Sequence, residues 1–301
     1  VGSTSMGNIL TKQFYRQRKD FEDSCAGRDA GLTFPEGVRC STDIAYADDG
    51  IKAHMLDIYR PEDSQEKILP VIINVHGGGL IIGNKEFNRY FCALLCKKGF
   101  LVYSIEYRLI PDCLIYDQIA DVFMAMDYIK ERLAADGGDS SHVYMAGDSG
   151  GACLITYANA IQNSTNIARA ANVTPSGLRI NALGLISGMF YTSRFDKIGL
   201  FLPKYLYGRD YKKTSFAKYV NPENRELLNS LAPVWLVTSH NDFLRRYTTD
   251  FEKALTRAER EHELVIFPKN KKLTHAFSVF EPFMPESGAV IDMMVEYLRK
   301  F

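Results

Sequence analysis

The 301-residue chain has no excess of either charge, with 36 Lys and Arg against 36 Asp and Glu. Nucleic-acid binding needs a basic face toward the phosphates and is not expected. No apolar run approaches the roughly 18–20 residues that cross a bilayer. The longest candidates, Leu69–Val75 and Ile180–Phe190, are strand-sized and broken by Asn74 or by Gly and Ser, so no membrane partner is expected. The first twenty residues lack the apolar segment of a secretory signal. Val1–Ser5 reads as a foreign leader ahead of a natural start at Met6, and Met6–Thr11 fits the N-myristoylation pattern in form only. The six cysteines (25, 40, 92, 96, 113 and 153) show no paired CxxC spacing. Neither a metal nor a disulfide framework is expected, and reduced thiols in a cytoplasmic protein are the default. No internal repeat or low-complexity linker divides the chain.

What is present is globular composition, 46% apolar and 24% charged, enough for one large core. From about residue 41, strand-like and helix-like segments alternate, the pattern of a mostly parallel twisted sheet flanked by helices. Strands are expected at Val71–Val75, Phe100–Glu106, Val143–Ala146, Ile180–Ile186, Val234–Thr238 and Leu264–Phe267. An antiparallel hairpin of Ser41–Ala47 with Ile51–Tyr59 precedes them. Ile119, Val122, Phe123, Met126, Ile129 and Leu133 recur every 3–4 residues, which predicts a helix. Phe87–Lys98, Gly151–Gln162, Tyr247–Glu259 and Pro285–Arg299 are the other helical segments.

Residues 40–188 and 229–301 thus make one α/β domain, and two stretches fall outside the alternation. Within 6–39, Ile9, Leu10, Phe14 and Phe21 predict a short amphipathic helix. Within 189–228, nine of forty residues are Phe or Tyr, against 12% aromatic in the whole chain. An insertion at the carboxyl end of a central strand lies where open α/β sheets bind ligands. The two stretches are expected to form a cap, with Phe190, Tyr191, Phe201 and Tyr205 as substrate-binding aromatics.

Chemistry concentrates in two glycine motifs. Gly147-Asp148-Ser149-Gly150-Gly151 follows a strand and opens a helix, the setting of a nucleophile elbow. The helix that begins after Ser149 aims its free amides at developing negative charge. The same string surrounds the serine of chymotrypsin-like proteases, but those are all-β and disulfide-rich, which this chain is not. His76-Gly77-Gly78-Gly79 follows the buried strand Val71–Val75, and bare backbone N–H groups there suit an oxyanion hole. Gly78, Gly79 and Gly150 are the expected donors.

Ser149 needs a base, and in such folds the order is nucleophile, acid, histidine. His54, His76 and His142 precede the serine, His262 opens a strand, and His240 leaves no strand-end acid before it. His275 remains, with Asp242 at the end of the preceding strand as its acid and Asp250 as the alternative. In the expected chemistry His275 removes the Ser149 proton, Asp242 holds the imidazole, and water releases the acyl-enzyme.

His76–Gly79, Tyr107-Arg108-Leu109-Ile110-Pro111, Gly147–Gly151, Asp242–Leu244 and His275–Phe277 occur in the order of the hormone-sensitive-lipase group of α/β-hydrolases, which the chain resembles over residues 40–300. The resemblance implies the α/β-hydrolase fold, esterase activity on small to medium acyl esters, a small-molecule ester as partner and no cofactor. It also implies a structural role for Tyr107 and Arg108 beneath the oxyanion loop, and it is compatible with a homodimer formed through an edge strand. The chain departs from the usual pattern at Gly150, Phe243, Arg246 and Ala276. Two other readings remain open. One is a serine peptidase of the prolyl-oligopeptidase kind, disfavoured by the glycine loop and the lack of a propeller-sized β domain. The other is a non-catalytic binder of small molecules, although such relatives typically lose a triad member and this chain keeps all three.

Overall fold

A computed structural model describes residues 2–64 and 66–301, with side chains from Gly7 onward. Val1, the head of the segment read as a leader, lies outside the described residues. Helix α1 (Gly2–Asp29) has 28 residues and replaces the short helix expected there. Between Thr11 and Ala26 the chain has no Gly or Pro and many Lys, Arg, Gln and Glu, all good helix formers. Only a narrow apolar stripe marks it, so periodicity understates its length.

Strand β1 (Val38–Ala45) pairs antiparallel with β2 (Met55–Pro61), from Val38 opposite Pro61 to Ala45 opposite Met55. This is the expected hairpin with a wider turn. Next come β3 (Leu69–Val75), α2 (Arg89–Lys97), β4 (Leu101–Ile105) and α3 (Ile115–Arg132). They are followed by β5 (Gly138–Asp148), α4 (Gly150–Asn163), the short α5 (Thr165–Ala171) and β6 (Ala182–Ile186). Helix α5 adds to the expected set; its start is a Ser164 cap, whose hydroxyl accepts from the Ile167 N–H at 3.3 Å, as N-caps do.

The aromatic insert folds into short helices α6 (Lys197–Phe201), α7 (Pro203–Tyr207) and α8 (Arg225–Asn229) joined by tight turns. The chain closes with β7 (Val234–Ser239), α9 (Arg245–Arg257), β8 (His262–Phe267), the single turn α10 (Phe277–Phe280) and α11 (Pro285–Leu298).

The strands form one eight-stranded sheet among the described residues, in the order β1-β2-β4-β3-β5-β6-β7-β8. The β1–β2 and β2–β4 pairs are antiparallel and all the others parallel. The inner strands β4 and β6 are buried along their whole length, as a sheet covered on both faces requires. Side chains alternate between the two cores: Val71, Ile73 and Val75 face α3 and α4, while Ile72 faces α2 and α11. Parallel register then places the motifs. Val75 at the end of β3 lies opposite Gly147 near the end of β5, so the glycine loop and the serine turn leave the sheet side by side. Ser239 at the end of β7 lies opposite Phe267 at the end of β8, which brings together the loops that carry Asp242 and His275.

Candidate active site

Ser149 sits between β5 and α4 with φ 49° and ψ −116°. A non-glycine residue there costs of order 1–3 kcal/mol and persists only when its surroundings enforce it. Its N–H donates to the Ile186 carbonyl at 2.9 Å, and its carbonyl accepts from the Met189 N–H at 3.0 Å. Gly151 is what makes the sharp turn feasible, since a Cβ there would run into the Val75 carbonyl oxygen.

The Ser149 Oγ lies 3.0 Å from His275 Nε2, and His275 Nδ1 lies 2.7 Å from Asp242 Oδ1. An ionised carboxylate only accepts, so Nδ1 carries the imidazole proton and Nε2 is free to accept from the serine hydroxyl. Asp242 Oδ1 also accepts the Leu244 N–H at 2.9 Å, and Oδ2 accepts the Thr238 hydroxyl at 2.8 Å. Burial pushes the Asp242 pKa up, but the hydrogen bond and positive pull of His275 and the Leu244 amide outweigh it and hold the carboxyl below its ordinary range. The alternative acid, Asp250, instead pairs with Arg194 at 2.7 Å.

Gly78 and Gly79 have φ of 120° and 61°, conformations that L side chains rarely adopt. Neither gives its N–H to a backbone acceptor among the described residues. Gly150 opens α4, where the first amides have no partner within the helix. Its backbone presses so closely on the loop that a Cβ would come within 2.8 Å of the Leu80 nitrogen. The usual alanine at this position would therefore crowd the loop here. Unpaired amides from both motifs thus converge beside Ser149.

A buried network holds the loop from behind. Tyr107 donates its hydroxyl to the His76 carbonyl at 2.6 Å and stacks on the His76 ring at 4.4 Å. His76 donates from Nε2 to Glu106 at 2.6 Å and from Nδ1 to the Gly77 carbonyl at 2.8 Å. Burial works against an imidazolium there, but the Glu106 carboxylate prevails and raises the His76 pKa. Asp148, raised by burial, accepts the Gly77 N–H at 3.2 Å and the Asn88 amide at 3.0 Å. Arg108 places Nη2 2.9 Å from the fully buried Asp121, whose carboxylate also meets His54 Nε2 at 2.8 Å. Asp121→Ala would take from Arg108 its carboxylate and from His54 one of two, since His54 Nδ1 still meets Asp49 at 2.6 Å. A loss of about 3 kcal/mol is expected, read as a Tm lower by roughly 5 °C in a chain of this length.

Ser149 and His275 open into a cavity of about 790 Å³. Its mainly apolar walls include Leu10, Phe14 and Phe21 of α1, Ile81 and Ile82 after the glycine loop, Phe87 and Phe280, Ile198 and Phe201 of α6, and Leu202, Met189 and Leu244, with Gln13, Gln17 and Lys197 as polar members. Phe243, 75% exposed, packs its ring 4.5 Å from that of His275 at the mouth.

Of the four expected aromatics, only Phe201 lines this cavity. Phe190 and Tyr191 do not reach it and are corrected to core residues. Phe190, 2% exposed, stacks on Phe251 at 4.3 Å. Tyr191, 4% exposed, bonds Glu223 at 3.0 Å and lies under Arg194. Each satisfies itself within the insert and α9. Tyr205 stands one step back, its ring edge-on to Phe14 at 5.2 Å. The expected cap stretch 6–39 supplies Leu10, Phe14 and Phe21 to the wall, residues with the spacing of one helical face that are absent from the expected substrate-binding set.

A family model described as the alpha/beta hydrolase fold matches residues 72–278. The chain is 29% identical over 184 residues to a probable isoprenylcysteine alpha-carbonyl methylesterase of Oryza sativa subsp. japonica, a match covering 58% of this chain and 44% of that protein. Esterase LipQ of Mycobacterium tuberculosis is 32% identical over 120 residues, covering 39% of this chain and 28% of its own. The chain thus spans less than half the length of these curated relatives. Among solved structures, esterase B from Lactobacillus rhamnosis superposes with a TM-score of 0.91 at 22% identity, covering 98% of this chain and 96% of that one. A bacterial heroin esterase gives 0.70 at 23% identity, covering 94% and 90%. At these identities the likeness is one of fold.

Proposed function

The chain belongs to the hormone-sensitive-lipase-like family of α/β-hydrolases, and from that premise we propose that it is a carboxylic-ester hydrolase acting on short- to medium-chain acyl esters. The observation that carries the reading is the Asp242–His275–Ser149 chain of hydrogen bonds, at 2.7 and 3.0 Å, ending in an apolar cavity. Relatives named as esterases and a methylesterase support it.

In the proposed cycle Ser149 Oγ attacks the ester carbonyl as its proton passes to His275 Nε2. Asp242 stabilises the imidazolium without taking the proton. The carbonyl oxygen, now negative, accepts from the N–H groups of Gly78, Gly79 and Gly150, which need no reorganisation as charge develops. His275 returns the proton to the departing alkoxide. Water, activated by the same histidine, then cleaves the acyl-enzyme to acid and free serine. In this reading α1 and residues 189–228 form the cap, and Leu10, Phe14, Ile198 and Phe201 hold the apolar part of the ester.

The cavity sets the expected chain length. About 790 Å³ suits a ligand of drug size, which an acetyl ester underfills. Each methylene that finds apolar wall adds about 0.8 kcal/mol. On p-nitrophenyl acetate, butyrate, octanoate and palmitate, kcat/KM should therefore rise about tenfold from acetate to butyrate, rise further to octanoate and fall at palmitate. A flat profile would remove the cavity from the account. No Ser149-dependent turnover on any of the four would favour the peptidase or the non-catalytic binder.

A further inference from the structure

The oxyanion amides work only if the loop that carries them is fixed to within tenths of an ångström. Beyond Gly79 two successive carbonyls face the protein. The Leu80 carbonyl accepts from the Ile110 N–H at 2.9 Å and the Gln118 amide at 3.0 Å, both within the α/β body. The next, Ile81, has one recorded donor among the described residues, and it comes from α1: Arg18 Nε at 2.8 Å. The same guanidinium donates through Nη2 to the Ile110 carbonyl at 2.6 Å and through Nη1 to Asp112 at 3.0 Å. Tyr15, one turn earlier, donates to the other Asp112 oxygen at 2.5 Å.

We infer that Arg18 is a positioning residue that couples the seating of α1 over the cavity to the setting of the oxyanion loop. This rests on the esterase reading above. Helix α1 contributes Leu10, Phe14 and Phe21 to the cavity wall, and from the same helix Arg18 reaches past the wall to the loop backbone. When α1 is seated, the Ile81 peptide is pinned and the amides of Gly78 and Gly79 are held toward Ser149. When α1 lifts, the wall and the pin go together, so the hole is complete only under a closed cap. Only the planar fork of arginine bridges two carbonyls and a carboxylate at once; a lysine is a point charge and holds one of them. Arg28 anchors the other end of the helix. Its Nη2 donates to the Phe87 carbonyl at 2.7 Å and Nη1 to the Val279 carbonyl at 3.1 Å, away from the oxyanion loop.

That pair of anchors supplies the test. Steady-state rates on p-nitrophenyl acetate and octanoate are compared for the wild type, Arg18→Ala, Arg18→Lys and Arg28→Gln, with Tm measured for each. Arg18→Ala and Arg18→Lys are expected to lower kcat about tenfold on both esters with KM within about twofold, less than the loss of an oxyanion donor itself. Arg28→Gln is expected to keep kcat on acetate within about twofold. An unchanged kcat on acetate in Arg18→Ala, or a loss seen only as a raised KM for octanoate, would reduce Arg18 to a fastener of the cap and overturn the inference. Equal kcat losses in Arg18→Ala and Arg28→Gln would do the same. If Arg18→Ala does not fold, Asp112→Asn serves instead: a two- to threefold fall in kcat on both esters supports the coupling, and no change refutes it. A wild type inactive on both esters is a failure of the esterase reading itself, visible before any variant is made.

Discussion

Ser149→Ala is expected to lower kcat on p-nitrophenyl butyrate by about five to six powers of ten and to move Tm by less than about 2 °C. The two halves of that expectation have separate causes. The hydroxyl's one recorded partner is His275 Nε2 at 3.0 Å, so its removal deletes the proposed nucleophile without orphaning a buried donor. The turn itself is held by backbone bonds to Ile186 and Met189, which alanine keeps. Whatever rate remains would come from the oxyanion amides acting on bound ester with water as the nucleophile. A fluorophosphonate should label the wild type once per chain and the variant not at all. Turnover within a factor of ten of the wild type, or undiminished labelling, would sink the assignment of Ser149.

The parts of the site read from the sequence are those where chemistry dictates the backbone. A serine turn sharp enough to present its hydroxyl demands small residues at fixed offsets, and Gly147 and Gly151 show it. A loop with unpaired amides demands glycines, and Gly78 and Gly79 show it. The pairing of Asp242 with His275 could be placed because parallel strands end on one edge of the sheet, so chain order becomes spatial order. Where a residue's role depends on which way it faces, the sequence is mute. The insert's aromatic richness suggests a pocket, yet Phe190 and Tyr191 turn inward onto Phe251 and Tyr247, while of the cavity's six phenyl rings (Phe14, Phe21, Phe87, Phe201, Phe243 and Phe280) only Phe201 comes from the insert. Helix α1 is polar over most of its surface and packs through a narrow stripe, so periodicity shows that a helix is present and not that it walls the cavity. Arg18 has no local signature, because a guanidinium bonded to two backbone carbonyls is specified by tertiary position alone. Phe243, where the family usually has proline, reads as a departure until its ring is seen beside His275.

Asp242→Asn carries the second-largest effect, a fall in kcat of about three to four powers of ten. The side chain is nearly isosteric, and its surroundings tolerate the change. The Thr238 hydroxyl that donates to Oδ2 at 2.8 Å can rotate and accept from an amide nitrogen instead. The Leu244 N–H and His275 Nδ1 still find an oxygen at Oδ1. The fold should therefore survive, with Tm within a few degrees. What is lost is the negative charge beneath an imidazolium that must form in a partly buried site, where the effective dielectric is low and a counter-charge at 2.7 Å is worth several kcal/mol in the transition state. Asp250→Asn is the matched control. That carboxylate faces Arg194, and its neutralisation should leave kcat within about twofold. If the introduced amide flips to present its nitrogen to Nδ1, the imidazole is held in the wrong tautomer and the loss moves to the upper end of the range, so the size of the fall reports which way that amide points. Comparable losses in the two variants would mean that charge near the cavity, rather than the line from Asp242 through His275 to Ser149, supports turnover. A large loss at Asp242 alone ties the rate to that line.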